Sequence, residues 1–425
     1  MTEKTNIKLA LIPYILKWLF LTSIVGILSG SASAIFLKLL EWATEYRINH
    51  SYLIYFLPLG GLVISLIYHY FGKDVSGGNN LILSEIHNPK KVLRIRMAPF
   101  VLLGTVATHL FGGSAGREGS AIQMGASLAD QLTNIFSLDK FDRKILLISG
   151  MAAGFGSVFG TPLAGAVFGL EVFIIGKMSY EAIFPSFLSS IIADEVTRNW
   201  WGVTHSVYHV SHIPEATLSN IFLASLAGIA FGLAGHLFSF SVEKVKYFLP
   251  KITKFQPYQT VVGGILIVFL TTILNTHMYN GLGLNIISDS FVIKMAWYVF
   301  LFKILFTAIT LGSGFKGGEV TSLFFIGATL GNFLSNVIPL PMDLMAGMGF
   351  VAIFAGASNT PIACIIMAIE LFGTGIQLYA GIACITAYLF SGHASIYSTQ
   401  IIGTSKHILF KKQEGKSIAE SENEE

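Results

Sequence analysis

The chain has 425 residues, of which 53% are hydrophobic and only 12% are charged, and its mean hydropathy is +0.67. A soluble globular domain carries about 25% charged residues, so this composition excludes a protein with a fully solvated surface. The formal net charge of +3 is small and gives no indication of nucleic-acid binding.

Apolar segments long enough to cross a bilayer recur along the chain, since a spanning helix needs about 20 residues. They lack the alternation of β-barrel strands, so the sequence predicts an all-α polytopic membrane protein. The first segment follows charged residues without an A-x-A-like cleavage site, and we interpret it as a retained span rather than a signal peptide. The segments are 15–42, 52–71, 218–240, 258–275 and 291–311.

Basic residues outside the apolar segments indicate the orientation. They predict that both termini face the cytoplasm, which implies an even number of crossings. We expect the last residues, 406–425, to form a disordered polar cytoplasmic tail. Cys364 and Cys384 both lie in apolar segments, which argues against a disulfide framework. The basic residues are Lys4, Lys8, the segment 89–96, Lys406, Lys411 and Lys412.

Two pairs of segments match at a single offset along the chain. The segment GTPLAGAVFGLEVF at 160–173 matches NTPIACIIMAIELF at 359–372, at an offset of 199 residues. At the same offset, GSAGREG at 113–119 falls on GSGFKGG at 312–318 without a gap. These matches predict two related halves.

The expected halves are about 10–205 and 215–405, within one transmembrane transport domain at 1–405. Duplicated membrane halves are typical of transporters, whose substrate lies where broken helices of the two halves meet. The glycine-rich segments around 113–119 and 312–318 are the expected breaks, and VSGGNNLI at 75–82 is a third.

Glu118 lies within the first of these breaks. A charged carboxylate inside a membrane costs at least about 2.5–3.5 kcal/mol and is a functional candidate by default. Helix N-termini favour anions, so ionised Glu118 would occupy the place of an anionic substrate and protonated Glu118 would leave it. The alternative is a capping glutamate paired with Arg117 at the membrane surface.

At these residues the chain resembles the CLC family of anion channels and anion/proton exchangers. GREG at 116–119 resembles the gating-glutamate motif, SIYS at 395–398 resembles the pore-tyrosine region, and TPLAGAVFGLE resembles the helix after the gate. The resemblance implies an inverted-repeat homodimer with broken, re-entrant helices and one pore per subunit. It also implies that Glu118 is the gate and proton carrier and that Tyr397 is the pore tyrosine.

The chain departs from the chloride-handling pattern of the family at four places. Asn79 replaces a serine, Ser120 follows GREG in place of proline, GEVTS at 318–322 replaces GxFxP, and Val172 stands where the inner proton-relay glutamate is expected. These departures resemble the fluoride-exporting branch. The resemblance therefore implies a fluoride/proton antiporter, without cofactor or metal, in a bacterial plasma membrane.

Fluoride is a small and strongly hydrated anion, so its site must replace water with several short donors. Asn79 offers an amide and Tyr397 a hydroxyl, while the breaks offer backbone N–H groups. Glu319 and Thr321 would give a rotating Glu118 polar partners, although Glu319 also fits a helix-start carboxylate. The expected substrate-binding residues are Asn79, Asn80, Gly116, Gly119, Gly318, Glu319, Val320, Thr321 and Tyr397.

Other functions are also compatible with parts of the sequence. The nearest alternatives are a chloride or nitrate/proton exchanger and a passive anion channel of the same fold. A remote alternative is an intramembrane serine hydrolase, because GGSAG at 112–116 fits G-x-S-x-G with Ser114 as nucleophile and His109 as base. The Gly-Ser pair that both breaks share favours a backbone role instead.

Several polar residues in apolar segments have structural interpretations. Glu171 and Glu370 stand at matching places in the repeats, which favours capping or packing between helices. Lys294 and Lys303 are expected to extend their ammonium groups toward the membrane surface. The eleven histidines show no metal-ligand spacing.

Overall fold

Most of the apolar segments form helices, and many of these helices end at glycine or begin at proline. The computed structural model describes residues 3–422, with side chains described from residue 11 to residue 421. In the first half the elements are α1 (Glu3–Asn49), α2 (Leu57–Phe71), α3 (Gly78–His87), α4 (Met97–Leu110), α5 (Glu118–Ile135), α6 (Lys140–Phe159), α7 (Pro162–Glu171), β1 (Ile174–Ile175) and α8 (Ile183–Glu195).

The second half repeats the same order of helices. Its elements are α9 (Leu218–Ile252), α10 (Gln256–Leu274), α11 (Leu284–Asp289), α12 (Val299–Gly312), α13 (Val320–Leu334), α14 (Met342–Ser358), α15 (Pro361–Phe372), α16 (Gln377–Phe390), β2 (Ile401–Ile402) and α17 (Ile418–Glu422). Short 3₁₀ helices cover Ser51–Phe56, Lys73–Val75, Tyr180–Ala182, Thr374–Ile376 and Ile408–Gln413, and a π-helical turn covers Val196–Trp200.

Four helical segments in the described part of the chain are long and apolar enough to cross a membrane: Leu11–Asn49, Ser51–Phe71, Leu218–Ile252 and Gln256–Leu274. The expected span at 291–311 was wrong, because α12 begins only at Val299 and has 14 residues. The Asn332 side chain explains the difference. Its amide donates to the carbonyls of Ser290 and Ile293 and its oxygen accepts from the Met295 N–H, which holds this backbone outside a helix.

The two halves are inverted repeats, and a reciprocal pair of glutamates ties them together. Glu171, at the end of α7, accepts hydrogen bonds from the N–H groups of Ile362 and Ala363 at the start of α15, at 3.2 and 2.9 Å. In return, Glu370 on α15 accepts from the N–H groups at the start of α7, at 2.9 and 2.8 Å. The capping interpretation of both glutamates is confirmed. The exact limits of the halves remain a prediction.

Around the two glycine-rich breaks, the structure aligns the repeats differently from the gap-free sequence match of 113–119 with 312–318. Gly116 and Gly318 pair in an antiparallel bridge, and α5 and α13 begin at Glu118 and Val320, so equivalent residues here lie 202 positions apart. The offset returns to 199 at α7 and α15, because α6 has 20 residues and α14 has 17. The match of GSAGREG with GSGFKGG was therefore wrong by three residues.

Glycines allow the central helices to pack backbone to backbone. A methyl group at Gly125 of α5 would lie 2.2 Å from the Gly150 carbonyl oxygen of α6. In the second half, a methyl at Gly327 of α13 would lie 2.0 Å from the Gly349 carbonyl oxygen of α14. Small residues permit this close contact between membrane helices. As a result, the helices that begin at the two breaks are fixed in the interior of the protein.

Lys303 does not extend toward the membrane surface, so that prediction was wrong. Its side chain has no exposed surface, and its ammonium donates to the carbonyls of Tyr279 and Gly281 at 3.2 and 2.8 Å. The ammonium also lies 5.0 Å from the centre of the Phe325 ring. Lys303 therefore fixes the loop that precedes α11, whereas Lys294 is exposed as expected.

The C-terminal segment folds back onto the helices up to residue 422, so the prediction of a disordered tail was wrong for these residues. Strand β2 pairs in parallel with β1, and Ile175, Ile402 and Ile418 form a small buried cluster. Burial of Ile418, which is 1% exposed, holds the segment in place. Residues 423–425 lie outside the described chain. Cys364 and Cys384 are both buried and free, as predicted.

We predict that Glu370→Ala destabilises the protein, because it leaves the Leu163 and Ala164 N–H groups at the start of α7 without their acceptor. The expected loss is about 1–3 kcal/mol in the free energy of unfolding. Thermal unfolding in detergent measures it, with Glu195→Ala on the exposed surface as the control. Equal melting temperatures for the two variants would contradict the capping role.

Candidate functional site

Glu118 is the first residue of α5, and its side chain has no exposed surface. One carboxylate oxygen, Oε2, accepts hydrogen bonds from the Thr321 N–H at 2.9 Å and from the Thr321 hydroxyl at 2.5 Å. The same oxygen accepts from the Arg117 N–H at 3.2 Å. Thr321 lies in the first turn of α13, so the carboxylate occupies the N-terminus of the broken helix from the opposite half.

Arg117 lies beside this carboxylate without being its main partner. The Arg117 Nε atom is 3.4 Å from Glu118 Oε1, and the Arg117 side chain is 14% exposed. Glu118 does cap a helix start and pair with Arg117, but the surface location in the sequence alternative was wrong, because Glu118 is buried and bonds to the other half of the chain. Oε1 has no hydrogen-bond partner among the described residues, so one carboxylate oxygen keeps unused acceptor capacity.

The two glycine-rich breaks meet in a backbone pairing. The Gly116 N–H donates to the Gly318 carbonyl at 2.6 Å, and the Gly318 N–H donates to the Gly116 carbonyl at 2.8 Å. A side chain does not fit there, since a methyl group at Gly318 would lie 2.7 Å from the Gly119 nitrogen. The first residues of α5 and α13 are therefore held face to face, as the repeat pattern predicted.

A cavity of about 150 Å³ adjoins the breaks on one side. Its walls include Asn79, Gln123, Lys316, Glu319 and Tyr397. A methyl at Gly119 would lie 3.1 Å from the Asn79 amide nitrogen and 3.6 Å from a Glu319 carboxylate oxygen, so both side chains converge on the first turn of α5.

Tyr397 presents its hydroxyl at the cavity with no hydrogen-bond partner among the described residues. Its side chain is only 2% exposed. The Tyr397 N–H donates to Ser395 Oγ at 3.0 Å, and the Gln400 N–H donates to the Tyr397 carbonyl at 3.0 Å, which fixes the surrounding segment. A buried hydroxyl without a partner is costly, so it is available to a bound anion.

Asn80 has a different environment from Asn79. Its side-chain oxygen accepts from the Thr399 N–H at 3.4 Å and from the Thr399 hydroxyl at 3.2 Å. Although Asn80 also borders the cavity, these bonds tie α3 to the segment that carries Tyr397. Val320, the first residue of α13, is fully buried.

Most residues that line this cavity are absent from the sequence prediction, and Gln123 and Lys316 are two polar examples. Gln123 lies one turn after Gly119 in α5, and helical residues four apart share a face, so spacing alone could have identified it. Lys316 lies in the second break, and its ammonium is 4.2 Å from the centre of the Tyr68 ring. The basic character of Lys316 was visible in the sequence, but its contact with α2 depends on packing between distant segments.

A second and larger cavity, of about 710 Å³, lies on the Arg117 side of the breaks. Arg117 and Thr321 also border a space of about 10 Å³ that residues of α11, α13 and α14 line. Glu118 contacts both residues, whereas Asn79 and Tyr397 border the other cavity. The carboxylate and the paired breaks therefore separate two cavities.

A family model described as "Voltage gated chloride channel" matches residues 60–392. The chain belongs to the CLC family. Members of this family are ion channels and transporters, so the protein is a multi-pass membrane protein that moves anions.

One relative, the "Chloride/fluoride channel protein" of Pseudomonas syringae pv. tomato, is 50% identical over 406 residues, which cover 94% of this chain and 90% of the relative. A solved "CLC-type fluoride/proton antiporter" is 35% identical, covers 91% of this chain and 98% of its own, and has a TM-score of 0.87. A slow cyanobacterial Cl⁻/H⁺ antiporter shares the fold at 20% identity, with a TM-score of 0.76 and coverage of 88% and 94%.

The serine-hydrolase alternative has no support in the geometry. The Ser114 hydroxyl lies 2.9 Å from the Thr307 hydroxyl, and the Ser114 N–H donates to Thr310 Oγ1 at 3.1 Å. His109 Nε2 lies 3.4 Å from the Gly116 carbonyl oxygen. Both residues therefore shape the backbone of the break.

We predict that Gly119→Ala slows anion transport because the added methyl would lie 3.1 Å from both the Asn79 amide and Gly318 Cα. Crowding of this kind costs about 1–3 kcal/mol, so the transport rate should fall by about tenfold. Anion efflux from proteoliposomes measures the rate. Gly381→Ala, where the nearest atom is 4.0 Å away, is the control. Normal rates in both variants would contradict the importance of this contact.

Proposed function

We propose that the protein exports fluoride from the cytoplasm in exchange for protons. The observation that carries this proposal is the Glu118 carboxylate on the N-terminus of α13, between two cavities. An anion that replaces the carboxylate would accept the same Thr321 hydrogen bonds. Protonation removes the negative charge of the carboxylate and weakens it as an acceptor, so proton uptake and anion entry become coupled.

The donors around the first turn of α5 suit a small, strongly hydrated anion. The Asn79 amide nitrogen and the Tyr397 hydroxyl border one cavity, and the N–H groups of the α5 start adjoin it. Fluoride loses more hydration than chloride on entering a site, so it gains more from several short donors. We assign Asn79 and Tyr397 to direct contact with fluoride and Gly116, Gly119, Gly318 and Val320 to the backbone of the pathway.

Glu319 is a second carboxylate on the cavity side of Glu118. It lies close to the first turn of α5, so a rotated and protonated Glu118 would find an acceptor there. Val172 has an apolar, fully buried side chain, which offers no proton carrier at that position. We therefore place the proton transfer at Glu118 and Glu319.

The direction of export follows from the predicted orientation. With a cytoplasmic N-terminus in a bacterial plasma membrane, the C-terminal end of α1 faces outward, and Tyr397 lies on the cytoplasmic side with the tail. Fluoride would enter past Asn79 and leave past Arg117. A homodimer, as the family resemblance implies, completes the proposal. The names of the Pseudomonas relative and of the solved fluoride/proton antiporter support it.

The first test compares fluoride and chloride efflux from proteoliposomes under an inward proton gradient. We expect proton-driven fluoride efflux, with chloride at least about tenfold slower, because chloride gains less from short donors. Chloride transport remains the rival because the Pseudomonas relative is named for both ions. Equal rates for the two ions would contradict fluoride selectivity and favour that rival.

The second test uses Glu118→Gln, which keeps the shape of the side chain but cannot carry a proton. We expect this variant to lose uphill fluoride transport, which a fluoride electrode and an internal pH dye measure together. Glu195→Gln on the exposed surface of α8 is the control and should keep coupled transport. Persistent uphill transport in Glu118→Gln would exclude Glu118 as the proton carrier.

A further inference from the structure

Arg47, near the C-terminal end of α1, is a buried arginine that borders the larger cavity. Arg47 is only 9% exposed, and its Nε atom has no hydrogen-bond partner among the described residues. A guanidinium remains charged in proteins, and burial of an unpaired charge is costly. Between residues 11 and 421, Arg47 forms no ion pair, unlike Arg143, which contacts both Glu85 and Asp130.

The Arg47 side chain packs directly against the backbone of two glycines, Gly281 and Gly112. A methyl at Gly281 would lie 2.9 Å from Arg47 Nη2, and a methyl at Gly112 would lie 3.5 Å from its Cδ. Gly281 has a φ of +62°, a left-handed conformation that favours glycine. Gly112 lies just before the break that carries Arg117 and Glu118. The guanidinium is thus fixed next to the loop that leads to Glu118.

Charged side chains of both signs border this cavity. Arg47 and Arg117 both border it, and the Lys303 ammonium donates to the carbonyl of Gly281, the glycine that packs against Arg47. Glu41 and Glu45 also border the cavity, but both are exposed on α1. Arg117 has the Glu118 carboxylate 3.4 Å from its Nε atom, whereas Arg47 has no carboxylate partner among the described residues.

We propose that Arg47 and Arg117 form a second anion-binding station, distinct from the site around Asn79 and Tyr397. An anion held there would supply the partner that the Arg47 guanidinium lacks. The cavity is wide, and its charged donors are the two guanidinium groups, so it accepts small monovalent anions with little selectivity. Its place on the Arg117 side of Glu118 makes it a stage of the same transport route.

Only the assignment of this station to the transport route rests on the proposed function. The station itself binds an anion whichever ion the protein transports, so bromide is a suitable probe. Crystals of the protein grown in bromide should show an anomalous peak within hydrogen-bonding distance of the Arg47 guanidinium. The peak should be absent from Arg47→Met and retained in Arg47→Lys, which keeps the charge and also shows that position 47 tolerates substitution.

Transport gives an independent measurement. For fluoride entering from the Arg117 side, we expect Arg47→Met to raise KM by about tenfold, which corresponds to one lost charge-assisted contact, with little change in kcat. Arg94→Met, at an arginine that is 73% exposed outside the two cavities, is the control.

A bromide peak at Arg47 with chloride rather than fluoride transport would leave the station intact and overturn only the proposed function. No peak at Arg47 in the wild type, or a peak that persists in Arg47→Met, would overturn the station. An unchanged KM in Arg47→Met would show that the anion does not pause there during transport.

Discussion

A hydrogen-bonded contact between the two halves of the chain organises this protein: the carboxylate of Glu118 sits on the N-terminus of α13. The Thr321 N–H and hydroxyl hold it, and the paired backbones of Gly116 and Gly318 bring the two helix starts within reach. A helix N-terminus stabilises negative charge of any origin, which is why we propose that a dissolved anion competes with the Glu118 side chain for this position. In this structure the Glu118 side chain occupies the N-terminus of α13 and separates the two cavities.

The rest of the fold keeps this contact in position. The reciprocal caps of Glu171 and Glu370 fix α7 against α15, and close glycine packing fixes the helices behind each break. Every one of these contacts joins distant parts of the chain. They leave few ways for the breaks to shift, so the movement the proposal needs is confined to the Glu118 side chain and the anion.

The sequence was sufficient to predict the helical membrane fold, the repeats and the meeting of the breaks, because long apolar segments, repeated motifs and glycine-rich breaks are visible in the residue pattern itself. The prediction from sequence failed where a side chain from a distant part of the chain determines the local backbone structure. The Asn332 side chain holds the backbone before Val299 outside a helix. Lys303 turns inward because the Gly281 carbonyl accepts a hydrogen bond from its ammonium. Arg47 gave no sequence signal, since an arginine near a helix end is ordinarily solvated and its packing against Gly112 and Gly281 depends on the fold.

The competition between carboxylate and anion is tested most directly by the protons exchanged on fluoride binding. Calorimetric titration with fluoride at neutral pH, in buffers of different ionisation enthalpy, counts these protons because a group that changes protonation on binding draws them from the buffer. We expect an uptake close to one proton per fluoride in the wild type and close to zero in Glu118→Gln. Fluoride binding without proton uptake in the wild type would contradict it.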